Sequence, residues 1–326
     1  MAAVDPLAEL AAGGKPAFAR ALARLEEAPS AAETVALLEA AWARPSGVAI
    51  GLTGPPGVGK STLASALVRA WRGGGRRVAV LAVDPSSPRT GGALLGDRTR
   101  LALDPEDEGV FVRSLAARDR LGGVAALCFP MLVLARALFD RVLIETVGVG
   151  QSETEIVDLA DLVILAVQPA SGDSLQFLKA GIAEIPDIAV VTKCDLGAVA
   201  ERSARELEAA LALSAPAGRE PRVLRISATT GRGIDALLEA IEGRIATAVR
   251  ASERRRREQA RRWLLRELEA EAARRLRLWL DPGLEQASAR PFASAAVLLA
   301  EIRGLFPEAP RTVAATSPES PGASVA

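Results

Sequence analysis

From residue 46 onward the chain alternates short runs of consecutive apolar positions with amphipathic stretches. The runs are Val48–Leu52, Val78–Val83, Arg141–Glu145, Leu162–Val167, Ile188–Thr192 and Val223–Ile226. Their interiors are apolar at successive positions rather than at every second one, as in strands buried on both faces of a parallel sheet. Strand alternating with helix predicts an α/β fold. Its mostly parallel sheet is flanked by helices and takes ligands at the carboxyl ends of its strands. Residues 1–44 differ: they are rich in Ala, Leu, Glu and Arg. A rough helical period runs through Leu22, Leu25, Val35, Leu38 and Trp42, with a break at Pro29 and Ser30. Residues 45–250 form the predicted α/β domain and 251–306 a helical arm. In the arm, Arg250 to Leu280 reads as one long charged helix with the stripe Leu264, Leu268, Ala272, Leu276 and Leu280. Glu253/Arg257 and Glu258/Arg262 are i,i+4 pairs on it. Residues 307–326, rich in Pro, Ser, Ala and Thr, are expected to be a disordered tail.

The first run leads into Gly54-Pro55-Pro56-Gly57-Val58-Gly59-Lys60-Ser61-Thr62, which matches the phosphate-binding loop GxxxxGK[ST]. It follows a strand and opens the helical stretch Leu63–Trp71, the context that the motif requires. Its glycines let backbone N–H groups curl around a phosphate at the positive end of a helix. Lys60 is expected to reach the β- and γ-phosphates, and the Ser61 hydroxyl to bind Mg²⁺.

The loop does not choose between ATP and GTP. Val191-Thr192-Lys193-Cys194-Asp195, at the end of another run, bears on that choice. A carboxylate can accept from both N1–H and the exocyclic amine of guanine, a donor pair that adenine lacks. Asp195 is therefore the expected guanine reader, with the Lys193 stem along the base. Main-chain N–H groups of Ser227, Ala228 and Thr229 are candidates for guanine O6. Asp84 and Glu145 end two further runs and put acids where Mg²⁺ and the γ-phosphate would sit. Gly148, lacking a Cβ, can bring its N–H to the γ-phosphate. A helix cap or solvated turn is the alternative for each acid, and more so for Asp97 in Gly96-Asp97-Arg98.

Composition narrows the chemistry. There is no histidine, which removes Ser-His-Asp and Cys-His nucleophile pairs, imidazole bases and most zinc sites. Lys and Arg total 40 and Asp and Glu 40, a balance that argues against a broadly basic nucleic-acid binder. Arg254–Arg257 could be read as a nucleic-acid patch, but the interleaved glutamates fit a solvated or partner-docking helix better. Cys128 and Cys194 are far apart and form no CxxC pair, which fits a reducing compartment. The first ten residues carry no Lys or Arg, unlike a signal peptide, and the longest apolar run, Val124–Ala135, is too short to span a bilayer. A cytoplasmic protein with no membrane contact is expected.

GPPGVGKST, VDPSSPRTGGALLGDRTR, ETVGVGQSE, QPASGDSLQFLKAGIAEIPDI, TKCD and SATTGRG occur in that order. Together they resemble the methylmalonyl-CoA-mutase-associated GTPases, also labelled ArgK or LAO/AO transport ATPases, of the SIMIBI class. The resemblance runs from about residue 15 to 300. It implies a GTP- and Mg²⁺-dependent chaperone that gates adenosylcobalamin loading of an acyl-CoA mutase and protects that mutase. It also implies a low basal rate raised by the mutase, and a homodimer to which the C-terminal helices contribute. By matched motif, Lys60, Asp97 and Glu145 are the catalytic candidates, Asp97 helping to position Mg²⁺ or the attacking water. Ser61, Asp84 and Glu145 are the metal candidates. Gln168–Lys179 resembles an extra switch loop, with Lys179 near the nucleotide or partner. The family usually has Asn-Lys-x-Asp; here Thr192 stands in place of the Asn that braces the loop.

Three rivals find less support. A scaffold without turnover has no need of Lys60, Ser61, Asp84 and Glu145 together. A nickel-insertion GTPase needs His/Cys-rich sites, and a signal-recognition GTPase a methionine-rich domain, while this chain has no His and only 2 Met.

Overall fold

The computed structural model describes residues 5–85, 101, 103–117, 125–146, 156–170, 186–214, 221–248, 252–288 and 298. Seven strands form one sheet, every pair parallel, in the order β3-β2-β4-β1-β5-β6-β7. They are β1 (Val48–Thr53), β2 (Val78–Pro85), β3 (Val110–Ala117), β4 (Arg141–Glu145), β5 (Leu162–Val167), β6 (Ile188–Val191) and β7 (Arg222–Arg225). Eight helices are described: α1 (Pro6–Ala12), α2 (Gly14–Glu27), α3 (Ala32–Ala43), α4 (Lys60–Gly73), α5 (Ala125–Leu138), α6 (Ala198–Ser214), α7 (Ile234–Ala248) and α8 (Ser252–Ser288).

The six runs read as strands are strands, to within a residue or two at their ends. Val110–Ala117 is a strand that the apolar-run criterion misses. It is an edge strand, so Arg113 and Ser114 interrupt its apolar positions, and Arg113 pairs with Glu26 of α2 at 2.7 Å. The central strands are buried along their length, as consecutive apolar positions require.

Two apolar layers cover the sheet. One is built by α1, α2, α3 and α5, with Phe18, Leu22, Leu25, Met131 and Leu132 fully buried. In it the Phe18 ring meets Phe111 of β3 edge-on at 4.7 Å. Val35, counted in the helical period, is 44% exposed; Leu37 and Ala41 take the inward positions of α3 instead. The apolar run at 124–135 lies largely in α5, a core helix that contains Pro130. The other layer joins α4 and α7 to the sheet through Leu63, Leu67, Trp71, Leu237 and Ile241. Both cysteines are buried, and neither is in a disulfide. Among the described residues no helix is long and apolar enough to cross a membrane.

The chain divides into two compact units, Met1–Ala270 and Glu271–Ala326. Within the first, the opening turns of α8 dock by a mostly polar face. Arg256 lies over the Trp42 ring at 4.5 Å, Trp263 stacks on Phe129 at 5.4 Å, and Gln259 is 3% exposed. The arginine cluster is thus partly absorbed in packing, and Arg257 pairs with Glu253 at 2.5 Å. Leu264 and Leu268 of the sequence stripe point away from this contact, 51% and 59% exposed. In the second unit, Arg274 and Arg275 pair with Glu271, whose carboxyl they hold down at about 2. The tail from residue 307 and the Leu280 side chain lie outside the described residues.

Candidate functional site

The sheet order places β1 between β4 and β5. The chain fills one side of β1 first and then crosses to the other, so the carboxyl end of β1 opens on the crevice where α/β sheets take ligands. The loop from Gly54 to Gly59 sits there. Gly54 has φ 144°, and a Cβ on it would fall 2.0 Å from the Ala166 carbonyl oxygen of β5. Only glycine lets the loop leave the strand so close to its neighbour. Gly59 caps α4 in a left-handed conformation, φ 97° and ψ 26°. The first-turn N–H groups of α4 have no intrahelical acceptors, which makes this helix end an anion site.

Two buried charges frame the loop. Lys60, 6% exposed, donates from Nζ to the carbonyls of Gly54 at 2.6 Å and Pro55 at 2.9 Å. Ser61 Oγ donates to Oε1 of Glu145 at 2.7 Å, and that carboxylate, at the end of β4, is 8% exposed. Thr146 ties β4 to β1: its amide donates to the Leu52 carbonyl at 3.1 Å and its hydroxyl to Thr53 Oγ1 at 3.1 Å. No group of three or more His, Cys, Asp or Glu side chains is placed to hold a metal ion among the described residues. A hydroxyl and one carboxylate are nonetheless the donor set that Mg²⁺ accepts, because it keeps several waters and takes the rest of its shell from phosphates. The residues present fit that ion.

The other side of the crevice is made by the ends of β6 and β7. Thr192, 5% exposed, donates through Oγ1 toward the carbonyls of Val58 at 2.8 Å and Val167 at 3.1 Å. The single hydroxyl proton is shared between them, and the first contact fixes the phosphate-binding loop. Thr192 thus makes a brace of the kind that the resemblance assigns to asparagine. Lys193, in a left-handed conformation at φ 54°, donates to the Gly57 carbonyl at 3.1 Å and to Gln168 Oε1 at 2.6 Å. The Cys194 amide donates to the Ile226 carbonyl at 2.9 Å, which joins the two strand-end loops. Across that joint the buried Ser227 hydroxyl donates to the exposed Asp195. That bond, followed by Asp195's own main-chain N–H, holds the carboxyl below the usual carboxylate range. Burial, by contrast, pushes the Cys194 thiol up. Ala228 is half-buried and Thr229 exposed beside them.

Lys60, Ser61, Glu145, Lys193, Asp195 and Ser227 are therefore gathered at one edge of the sheet. Asp84 lies on β2 in register with Ala116, and its side chain lies outside the described residues. Asp97, Gly148 and Lys179 lie outside them altogether. Sequence reasoning passed over Thr53 and Gln168 as individual residues. Thr53 carries a signal of its own: a hydroxyl ending an apolar strand immediately before the first glycine of the loop.

A family model described as methylmalonyl Co-A mutase-associated GTPase MeaB matches residues 18–278. A protein of Pyrococcus abyssi named a putative GTPase is 46% identical over 198 residues, 59% of this chain and 61% of that one. The chain thus spans about three fifths of the length of the Pyrococcus relatives it matches. A protein of Mycobacterium tuberculosis named a probable GTPase is 41% identical over 271 residues, 80% of this chain and 81% of its own. The solved structure of an LAO/AO transport system kinase superposes with a TM-score of 0.69 at 27% identity. It covers 91% of this chain and 96% of that one.

Proposed function

The chain belongs to the methylmalonyl-CoA mutase-associated GTPase family, and from that premise we propose that it binds GTP with Mg²⁺ and hydrolyses the β–γ phosphoanhydride. The cycle serves an adenosylcobalamin-dependent acyl-CoA mutase of the methylmalonyl-CoA type, gating its cofactor loading and protecting it. One observation carries the reading: the Ser61–Glu145 pair and the Asp195–Ser227 pair stand on one sheet edge, on either side of a glycine-rich loop.

The triphosphate lies along the loop, its oxygens taken by the first-turn N–H groups of α4. Lys60 exchanges the Gly54 and Pro55 carbonyls for β- and γ-phosphate oxygens. Ser61 and Glu145, with Asp84, would hold Mg²⁺, which when bound would neutralise phosphate charge. Water attacks the γ-phosphorus, the bond to the β–γ bridging oxygen breaks, and GDP and phosphate leave. Such a transfer needs positioning and charge stabilisation rather than a strong base, so it requires no histidine. We assign the orientation of the water to Asp97 and a γ-phosphate contact to Gly148. At the other end Asp195, ionised at neutral pH, accepts from N1–H and the 2-amino group of guanine. The Ser227 N–H, expected at O6, is instead taken by the Arg232 carbonyl at 2.9 Å, which leaves the N–H groups of Ala228 and Thr229 to donate to O6, and the Lys193 stem lies along the base. The homodimer is supported by the exposed apolar face of α8 at Leu264, Leu265 and Leu268. The setting is cytoplasmic.

Phosphate release from GTP and Mg²⁺, with and without each candidate cobalamin mutase, tests the proposal. Slow turnover that one mutase accelerates is the expected result. No turnover with any mutase would leave a scaffold, and turnover that none of them raises would remove the partner.

A further inference from the structure

We propose that Asp158 is a positioning residue of the nucleotide site through which α8 acts on that site, so that nucleotide binding and docking of α8 reinforce each other. The inference rests on the GTP-binding reading above and adds a regulating element to it.

The turn Ile156–Asp158, just before β5, is held from both sides. On its inner side it is fastened to β1, the strand that delivers the phosphate-binding loop. Ile156 is 1% exposed and packs against Gly51, where a Cβ would fall 2.6 Å from Ile156 Cγ1 and 3.0 Å from the Ala160 Cβ. Asp161 completes the fastening. Its amide donates to the Ala49 carbonyl at 2.8 Å, and its carboxylate accepts from the Ala49 amide at 2.9 Å and from Arg136 at 2.8 Å. Residues 156–161 and Ala49–Gly51 thus move together, three residues before Gly54.

On its outer side the same turn is gripped by α8. Arg262 and Arg266 donate to the two oxygens of Asp158, the first at 2.5 Å, and the Asp158 side chain is 13% exposed. Gln259 donates from Nε2 to the carbonyls of Leu159 and Ala160, each at 3.1 Å. Stacking of Trp263 on Phe129 adds an apolar contact between this helix and the same surface. Three polar side chains aimed at one turn do something else, because hydrogen bonds fix a single arrangement where apolar contacts tolerate several. The grip on Asp158 and the Ser61–Glu145 contact are made in one and the same arrangement of β1. A ligand that favours that arrangement at one end must favour it at the other by the same factor.

The test uses the full chain and amide hydrogen exchange over residues 252–270 without nucleotide, with GDP and with a non-hydrolysable GTP analogue. In the unmodified protein, saturating nucleotide should slow exchange in α8 by about tenfold, within the usual range of coupling between sites. Asp158→Asn, and separately the double variant R262Q/R266Q, should abolish that response. Each should also weaken nucleotide binding by about the same factor, while Asp158→Glu keeps both. A merely structural latch would speed exchange in every state and leave the ratio between states untouched. Exchange in α8 that nucleotide leaves unchanged or accelerates in the unmodified protein would overturn the proposal, as would a ratio that survives in both variants. Calorimetry separates the two levels. Nucleotide that binds while α8 is unresponsive sinks this inference alone, whereas GTP that does not bind sinks the functional reading and this inference with it.

Discussion

At the phosphate end of the site the charged groups are buried, Lys60 at 6% exposure and Glu145 at 8%, and Gly54 lies against a neighbouring strand. At the base end Lys193 and Asp195 stand in solvent, held by one buried hydroxyl and by contacts between loops. The two ends therefore differ in what they can lose. Burial keeps charges strong and their positions fixed, and removing one leaves its partners without a hydrogen bond in a low-dielectric place. An exposed reader can be changed with little effect on the fold, so its effects fall on which ligand binds. The phosphate end should govern rate and stability, the base end selectivity.

The largest expected effect tests the phosphate end. Lys60→Ala removes the donor to the Gly54 and Pro55 carbonyls and the cation expected on the transferred phosphoryl group. Loss of one preorganised stabilising group typically costs about 10²–10³ in turnover. Leaving the carbonyls short of a donor should also cost about 1–3 kcal/mol of stability. Single-turnover phosphate release and thermal unfolding of the variant check both. Turnover within tenfold of the unmodified protein would place the chemistry elsewhere.

The phosphate end was also the more legible in sequence, for a physical reason. Its loop is contiguous, and each residue of Gly54–Thr62 has its task fixed by its neighbours along the chain. The base end is assembled from two segments, and its joint, Asp195 to Ser227, shows only when β6 and β7 lie side by side. The partner of Thr192 was hidden for the same reason: Val58 is remote in sequence and contributes only a carbonyl. Elsewhere, pattern reading failed where burial is one-sided or polar. Val110–Ala117 escaped because an edge strand does not need a continuous apolar run. The docked face of α8 escaped because it consists of Arg256, Gln259, Trp263 and Arg266, while the apolar stripe at Leu264 and Leu268 faces outward. A hydrophobic period marks what must leave water, and not what a helix grips with hydrogen bonds.

The intermediate effect tests the base end. Asp195→Asn keeps the shape and removes the charge, and since Asp195 is exposed, stability should change by less than about 0.5 kcal/mol. Hydrogen bonds to a charged group are worth about 1.5–3 kcal/mol, so GTP affinity should fall by roughly 10- to 100-fold. The amide can instead donate to the 2-oxo group of xanthine, so xanthosine triphosphate should bind better than GTP. Competition between the two nucleotides measures this, and an unchanged preference would remove Asp195 from base reading. Ser227 keeps the folded carboxyl below its ordinary range. The charged form therefore holds through neutral and mildly acidic pH and is lost only as pH falls through the lowered folded value. The unmodified protein's preference for GTP should not fall as pH drops from neutral into the mildly acidic range.

The smallest effect falls on the residue between the two ends. Thr192 belongs by sequence to the base-reading segment, yet its hydroxyl is spent on Val58 in the phosphate-binding loop and on Val167 at the end of β5. Thr192→Val keeps the branched shape and deletes that donor, a loss of about 1 kcal/mol and hence roughly fivefold in affinity. Because the brace acts on the loop, the loss should be equal for GTP, GDP and xanthosine triphosphate, and Thr192→Ser should recover it. A change in preference among the bases would instead assign Thr192 to the base end. An equal loss for all three would show that the boundary between rate-setting and selecting residues runs through the segment Thr192–Asp195 itself, between a buried hydroxyl that holds the loop and an exposed carboxylate that reads the base.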